Sequence, residues 1–176
     1  YISQEAIYQL SGEPISETLP LYKKGFETNN IYVRQAIAQV LETIPKELQS
    51  EYESLLNDDS YVTREIALQQ LFVNFAEKRK QYLDRSKDWI GFQNKNLRQL
   101  WLVLALVEPS YMSDNTSEFI EELSAYSSSE FSFEIREISL NYLNDLSLWQ
   151  PSFLESLFNA ATHHNWRFRS NAREIL

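Results

Sequence analysis

An arginine four residues after a small capping residue recurs five times in this chain, as Asn30/Arg34, Ser60/Arg64, Asn94/Arg98, Ser132/Arg136 and Asn165/Arg169. The arginines stand 30, 34, 38 and 33 residues apart. A recurrence of roughly 30–40 residues marks an array in which one supersecondary unit stacks on copies of itself. Few other folds accommodate it, and arrays of this kind more often bind or support than catalyse.

Each arginine opens the same apolar pattern. Val33, Thr63, Leu97, Ile135 and Phe168 precede it, and Ala36, Ile66, Leu100, Ile138 and Asn171 follow one turn later. Next come Ile37, Ala67, Trp101, Ser139 and Ala172, then Val40, Gln70, Leu104, Tyr142 and Ile175, then Leu41, Leu71, Ala105, Leu143 and Leu176. Positions i, i+3, i+4, i+7 and i+8 form one face of an α-helix. The residue four before each arginine offers a side-chain oxygen to the free N–H groups at the helix start. A degenerate sixth copy is expected at the front, with Ile2, Glu5, Ala6, Gln9 and Leu10 inward and Ser3 in the arginine's place.

Partner helices fill the intervals. Pro45 opens one, where its missing N–H costs nothing, with Leu48, Tyr52, Leu55 and Leu56 inward. Asn74 is placed to cap the next, with Tyr82 and Leu83 inward. A third is expected from about Ser113 to Ala125, using Phe119, Ile120 and Leu123. Pro151 opens a fourth, with Phe153, Leu154, Leu157 and Phe158, and a shorter one is expected around Pro20, Leu21, Tyr22 and Phe26. Loops fall at Asn57–Ser60, Gly91–Asn94 and Ser127–Ser129. The expectation is an all-α fold, an α-α superhelix of about five to six helical pairs, spanning 1–176 as a single helical-repeat domain. Only 3 Gly and 5 Pro in 176 residues agree with long helices.

Composition narrows function mainly by exclusion. A net charge of −9 opposes nucleic-acid binding and disfavours a helical-repeat DNA glycosylase, since either needs a phosphate-neutralising surface. Without Cys there is no disulfide framework and no thiolate metal site. The longest apolar run, Leu100–Val107, is eight residues, far short of a membrane span. The chain opens on Tyr1 and has no Met before Met112, which reads as a fragment of a larger multidomain protein. The compartment stays open between periplasm and cytoplasm.

No catalytic constellation stands out. His163 and His164 are adjacent, whereas a helical zinc pair needs i, i+4 spacing. They read as the loop before the Asn165 cap. The pairs Asp58/Asp59 and Glu121/Glu122 read as solvated surface unless buried together. The candidate binding surface is the arginine column itself: Arg34, Arg64, Arg98, Arg136 and Arg169. Five guanidinium groups along one face can grip the carboxylates of a peptide or neighbouring domain. Alternatively each bonds the preceding loop's carbonyls, or an acid such as Asp59. Residues 77–98 carry seven basic side chains against three acids, and residues 114–137 carry seven acids against Arg136. These are docking surfaces of opposite sign or two ordinary solvated faces. Tyr32, Tyr61, Trp89, Phe92, Trp101, Phe133 and Trp166 line a groove or fill gaps between repeats.

The column pattern resembles HEAT and armadillo-like repeats. One stretch resembles more than that. Ser60-Tyr-Val-Thr-Arg-Glu-Ile-Ala-Leu68, Asn74-Phe-Ala-Glu-Lys-Arg-Lys-Gln-Tyr-Leu83 and Lys95-Asn-Leu-Arg-Gln-Leu-Trp-Leu-Val-Leu-Ala-Leu106 look like the helical C-terminal domain of bacterial zinc aminopeptidases of the aminopeptidase N family. That resemblance implies a non-catalytic domain packed on an upstream catalytic domain of the same polypeptide, shaping the peptide-substrate chamber. The family's zinc ligands lie upstream, so no cofactor and no catalytic residue is expected in this chain, and zinc is expected in the parent's catalytic domain. The competing reading is a stand-alone HEAT-repeat scaffold that binds a protein or peptide on its concave face. Neither reading involves nucleic acid or membrane.

Overall fold

The computed structural model describes residues 3–88, 94–111 and 115–176, whose regular structure is all helix, with no β-strand among them. They form two compact units, Tyr1–Trp89 and Ile90–Leu176.

The first unit holds α1 (Gln4–Leu10), α2 (Ile15–Phe26), α3 (Ile31–Val40), α4 (Gln49–Ser54), α5 (Tyr61–Asn74) and α6 (Arg79–Ser86). Here α1 packs on α3 and α3 on α5, while α2 packs on α3 and α4, α4 on α5, and α5 on α6. The arginine-bearing helices therefore form one row and their partners flank it. Val33, Ala36, Ile37 and Ala38 of α3 are fully buried. So are Tyr22, Leu48 and Tyr52 (Tyr22 to within 2%), each side chain of this size contributing about 1.5–3 kcal/mol relative to exposure. The Tyr52 hydroxyl donates to the Ala38 carbonyl at 2.7 Å, which satisfies a phenol that would otherwise be costly to bury. Gly25 allows α2 to approach α3, because a Cβ there would collide with Ile37 Cδ1.

The second unit holds α7 (Lys95–Val107), α8 (Thr116–Ala125), α9 (Phe133–Asp145), α10 (Pro151–Ala160) and α11 (Trp166–Ile175). Its row runs α7, α9, α11, with α8 against α7 and α9, and α10 against α9 and α11. Leu97, Trp101, Leu102, Leu123, Leu140, Leu143, Phe153, Leu157 and Phe168 form the core. Trp101 sits edge-to-face with Tyr111 at 5.7 Å and with Phe119 at 5.4 Å between ring centroids.

All five expected caps are N-caps. Asn30, Ser60, Asn94 and Asn165 accept first-turn N–H groups on their side chains. Ser132 caps without a side-chain bond.

Several sequence expectations shift. In α1, Ser3 is the N-cap and Ile7 is the buried residue, so the expected Glu5, Ala6, Gln9 and Leu10 face is rotated away from the core. The segment around Pro20 is a full twelve-residue helix with Pro20 inside it on an exposed face. Pro45 precedes a short 3₁₀ turn, Lys46–Leu48, and the partner helix is α4, closed by a second 3₁₀ turn at Leu55–Asn57. Asn74 caps nothing. It ends α5, and its amide donates to the Glu42 carbonyl at 3.0 Å and accepts from the Ile44 N–H at 3.0 Å, latching the α3–α4 loop. The α8 start expected near Ser113 lies outside the described residues, and helix begins at Thr116. Phe158 is 60% exposed rather than inward, because α10 buries only its Phe153/Leu157/Ala160 stripe.

Candidate functional site

Four of the five arginines reach backwards. Arg34 Nη1 donates to the Thr28 carbonyl at 2.6 Å, Arg64 Nε to the Asp58 carbonyl, and Arg169 Nη1 to the His163 carbonyl at 2.7 Å. In all three the acceptor is six residues before the arginine, two before the cap. Arg136 Nε makes the same kind of bond nine residues back, to Ser127 at 3.2 Å. The cap and the arginine thus close one turn from both sides. The cap oxygen satisfies helix N–H groups, and the guanidinium satisfies the loop carbonyl that no helix can serve.

Two of the arginines also find an acid 24 residues ahead. Arg34 Nε pairs with Asp58 Oδ2, whose side chain is 1% exposed. Arg98 forks onto Glu122 through Nε at 2.7 Å and Nη2 at 2.5 Å, the planar two-bond geometry in which guanidinium and carboxylate fit best. Burial alone would raise the Glu122 pKa. The Arg98 bonds and charge, joined by the Tyr126 hydroxyl, hold it below the usual carboxylate value instead. Tyr126 is in turn pushed up to about 12, first by burial and then by that bond to Glu122.

Asp58 is the acid of the loop, not Asp59. It is buried, while Asp59 is exposed. Its Oδ1 accepts the Ser60 N–H at 2.8 Å, its Oδ2 holds Arg34 and its carbonyl holds Arg64, so one residue links two successive joints. Arg136 is 6% exposed; its charge lies over the Phe168 ring at 4.9 Å, and burial lowers its pKa.

The other candidates scatter. Tyr32 and Trp166 are exposed, Tyr61 and Phe133 are half-buried, and Trp101 is core, so they do not line a common groove. Trp89 and Phe92 lie outside the described residues. Much of the basic 77–98 stretch is engaged locally. Lys78 pairs with Glu53 at 3.0 Å, Lys80 with Asp84 at 2.9 Å, and Arg79 lies over Phe72. In the second unit an open groove of about 380 Å³ separates α8 from α10, with Glu121, Ser124 and Ser128 on one wall and Gln150, Glu155 and Asn159 on the other. Sequence reasoning missed this groove, because its walls come from two helices that no periodic pattern relates.

No known family, curated protein or solved structure matches this chain. Among the described residues no three His, Cys, Asp or Glu side chains are placed to hold a metal ion, and no helix is long and apolar enough to cross a membrane. What the arginine joints can do is fix the angle between consecutive helices. Hydrogen bonds to charged groups are worth about 1.5–3 kcal/mol each, enough to hold a turn in one geometry.

Proposed function

We propose that the chain is a non-catalytic, HEAT-like helical-repeat domain that presents a surface to a protein or peptide. The observation that supports this reading is the repeated cap–arginine joint. This recurring set of polar groups sets helix against helix, as a solenoid's ridge requires. The rows α1–α3–α5 and α7–α9–α11, each with partner helices alongside, agree with stacked helical pairs.

A narrower form of the proposal places the domain in a zinc metallo-aminopeptidase-like protein, against the catalytic domain and beside the peptide-substrate chamber. The phrases quoted above favour it. Their residues are mostly joint and core positions, such as Ser60, Arg64, Ala67, Leu68, Leu97 and Trp101, so they speak for a shared architecture more than for a shared reaction. Zinc, under this reading, belongs to the upstream domain.

Two measurements test the proposal. The isolated 176-residue chain is expected to purify without stoichiometric zinc and to leave aminoacyl-amide and peptide substrates intact; bound zinc or turnover overturns it. The sequence upstream of Tyr1 separates the two forms. An H-E-x-x-H followed by a downstream glutamate supports the aminopeptidase form, and its absence leaves the free-standing scaffold.

A further inference from the structure

The turn between α10 and α11 differs from the other joints in using a titratable ring. His163 Nδ1 accepts the Asn165 backbone N–H at 3.1 Å. An imidazole accepts on Nδ1 only when neutral, with its proton on Nε2. Asn165 is the N-cap of α11 and takes the N–H groups of Arg167 and Phe168 at 3.1 and 3.2 Å. The His163 carbonyl is also the acceptor for Arg169. Ring and carbonyl of this one residue therefore hold both halves of the α11 joint.

The charged groups that face the ring oppose a further positive charge. From α9 the ring meets Phe133 at 6.3 Å and the charge of Arg136, and from α11 it meets Phe168 at 5.1 Å and the charge of Arg169. Beside it in the loop, His164 stacks at 4.1 Å between centroids. From α10 the contact is the Ala160 carbonyl, which accepts the His163 N–H at 3.0 Å. No carboxylate is among these neighbours. Partial burial, His164 and the two arginines accordingly push the His163 pKa below its ordinary value.

We propose that the α10–α11 turn is an acid-sensitive latch, in which proton uptake by His163 turns its Nδ1 from acceptor to donor and loosens α11 from α9. The proton bound at Nδ1 faces the Asn165 N–H donor, so that hydrogen bond cannot persist. The new charge also stands beside Arg136 and Arg169. The latch's contribution is constant above the ordinary histidine pKa, because the ring is then neutral in both folded and open forms. It declines as pH falls below that value, where the open form takes up the proton first.

Backbone hydrogen exchange of α11, referred to α5 in the same molecule and corrected for intrinsic rates, tests this between pH 7.5 and 5.0. In the native chain α11 is expected to lose protection several-fold on acidification while α5 holds. His163→Asn supplies a non-titrating oxygen with the same two-residue reach to the Asn165 N–H. It should make α11 protection independent of pH over this range, whereas His164→Asn should leave the dependence in place. Flat protection in the native chain overturns the proposal, as does an equal loss in His163→Asn. An imidazole NMR titration of the native protein serves independently of how the variant folds, and a His163 midpoint at or above 6.5 also overturns it.

Discussion

The two units use one sequence device with different counter-charges. In the first, Asp58 is a loop residue that binds Arg34 of one joint through its carboxylate and Arg64 of the next through its carbonyl. In the second, the acid is Glu122, out on helix α8 and a third exposed at its side chain, and Arg136 and Arg169 rest on neutral carbonyls. The first unit concentrates its joints on a single buried carboxylate, while the second distributes them. Concentration gives rigidity but also a single point of failure. Distribution makes each joint weaker and more independent.

The largest break of this comparison is Asp58→Ala. It leaves the half-buried Arg34 without its carboxylate and removes the Ser60 N–H acceptor, so thermal or urea unfolding should show a loss of about 3 kcal/mol, the lower end of the range for breaking a buried ion pair. Glu122→Ala, against a more exposed pair, should cost no more than about 2 kcal/mol. Equal costs would mean that the two acids play the same part. Glu122's share should also fade in acid. Its lowered folded pKa gives stability that is full above the unfolded carboxylate value and lost as pH falls through the folded one.

Arg136→Ala comes next, at about 2 kcal/mol measured in the same way, from the lost Ser127 bond and the lost packing over Phe168. The smallest effect carries the opposite sign. Burial raises the pKa of half-buried Glu65, so the ionised side chain burdens the fold at neutral pH. Glu65→Gln should therefore stabilise slightly at pH 7 and have no effect near about pH 3, where the carboxyl is protonated in both states. A neutral or destabilising result at pH 7 would show that the ionised group has a compensating partner.

Much of the first level of structure was legible in the sequence. The five caps, the arginine register and the Pro151 helix start follow from local rules that depend on a few consecutive residues. Burial was less legible. Ala38, Leu68, Leu102 and Leu140, four residues after the arginine, are fully buried yet fall outside the stripe read from the pattern. A helix with neighbours on two sides buries a wider arc than a one-sided amphipathic pattern suggests. The acid partners were hidden for another reason. Asp58 and Asp59 are chemically identical, and only the turn conformation decides which carboxylate meets Arg34. The α1 register failed because Ser3 and Ile7 carry too little pattern to fix a seven-residue helix.

The six-residue closure shared by Arg34, Arg64 and Arg169 has an evolutionary consequence. The span from accepted carbonyl to arginine is constant in these three copies, although the intervals between arginines run from 30 to 38 residues. Whereas Arg136, which ends the 38-residue interval, closes over nine residues, these three joints leave length variation to the partner helix and the stretch leading into the turn. New sequence can accumulate there, over generations, without disturbing how the next helix is aimed.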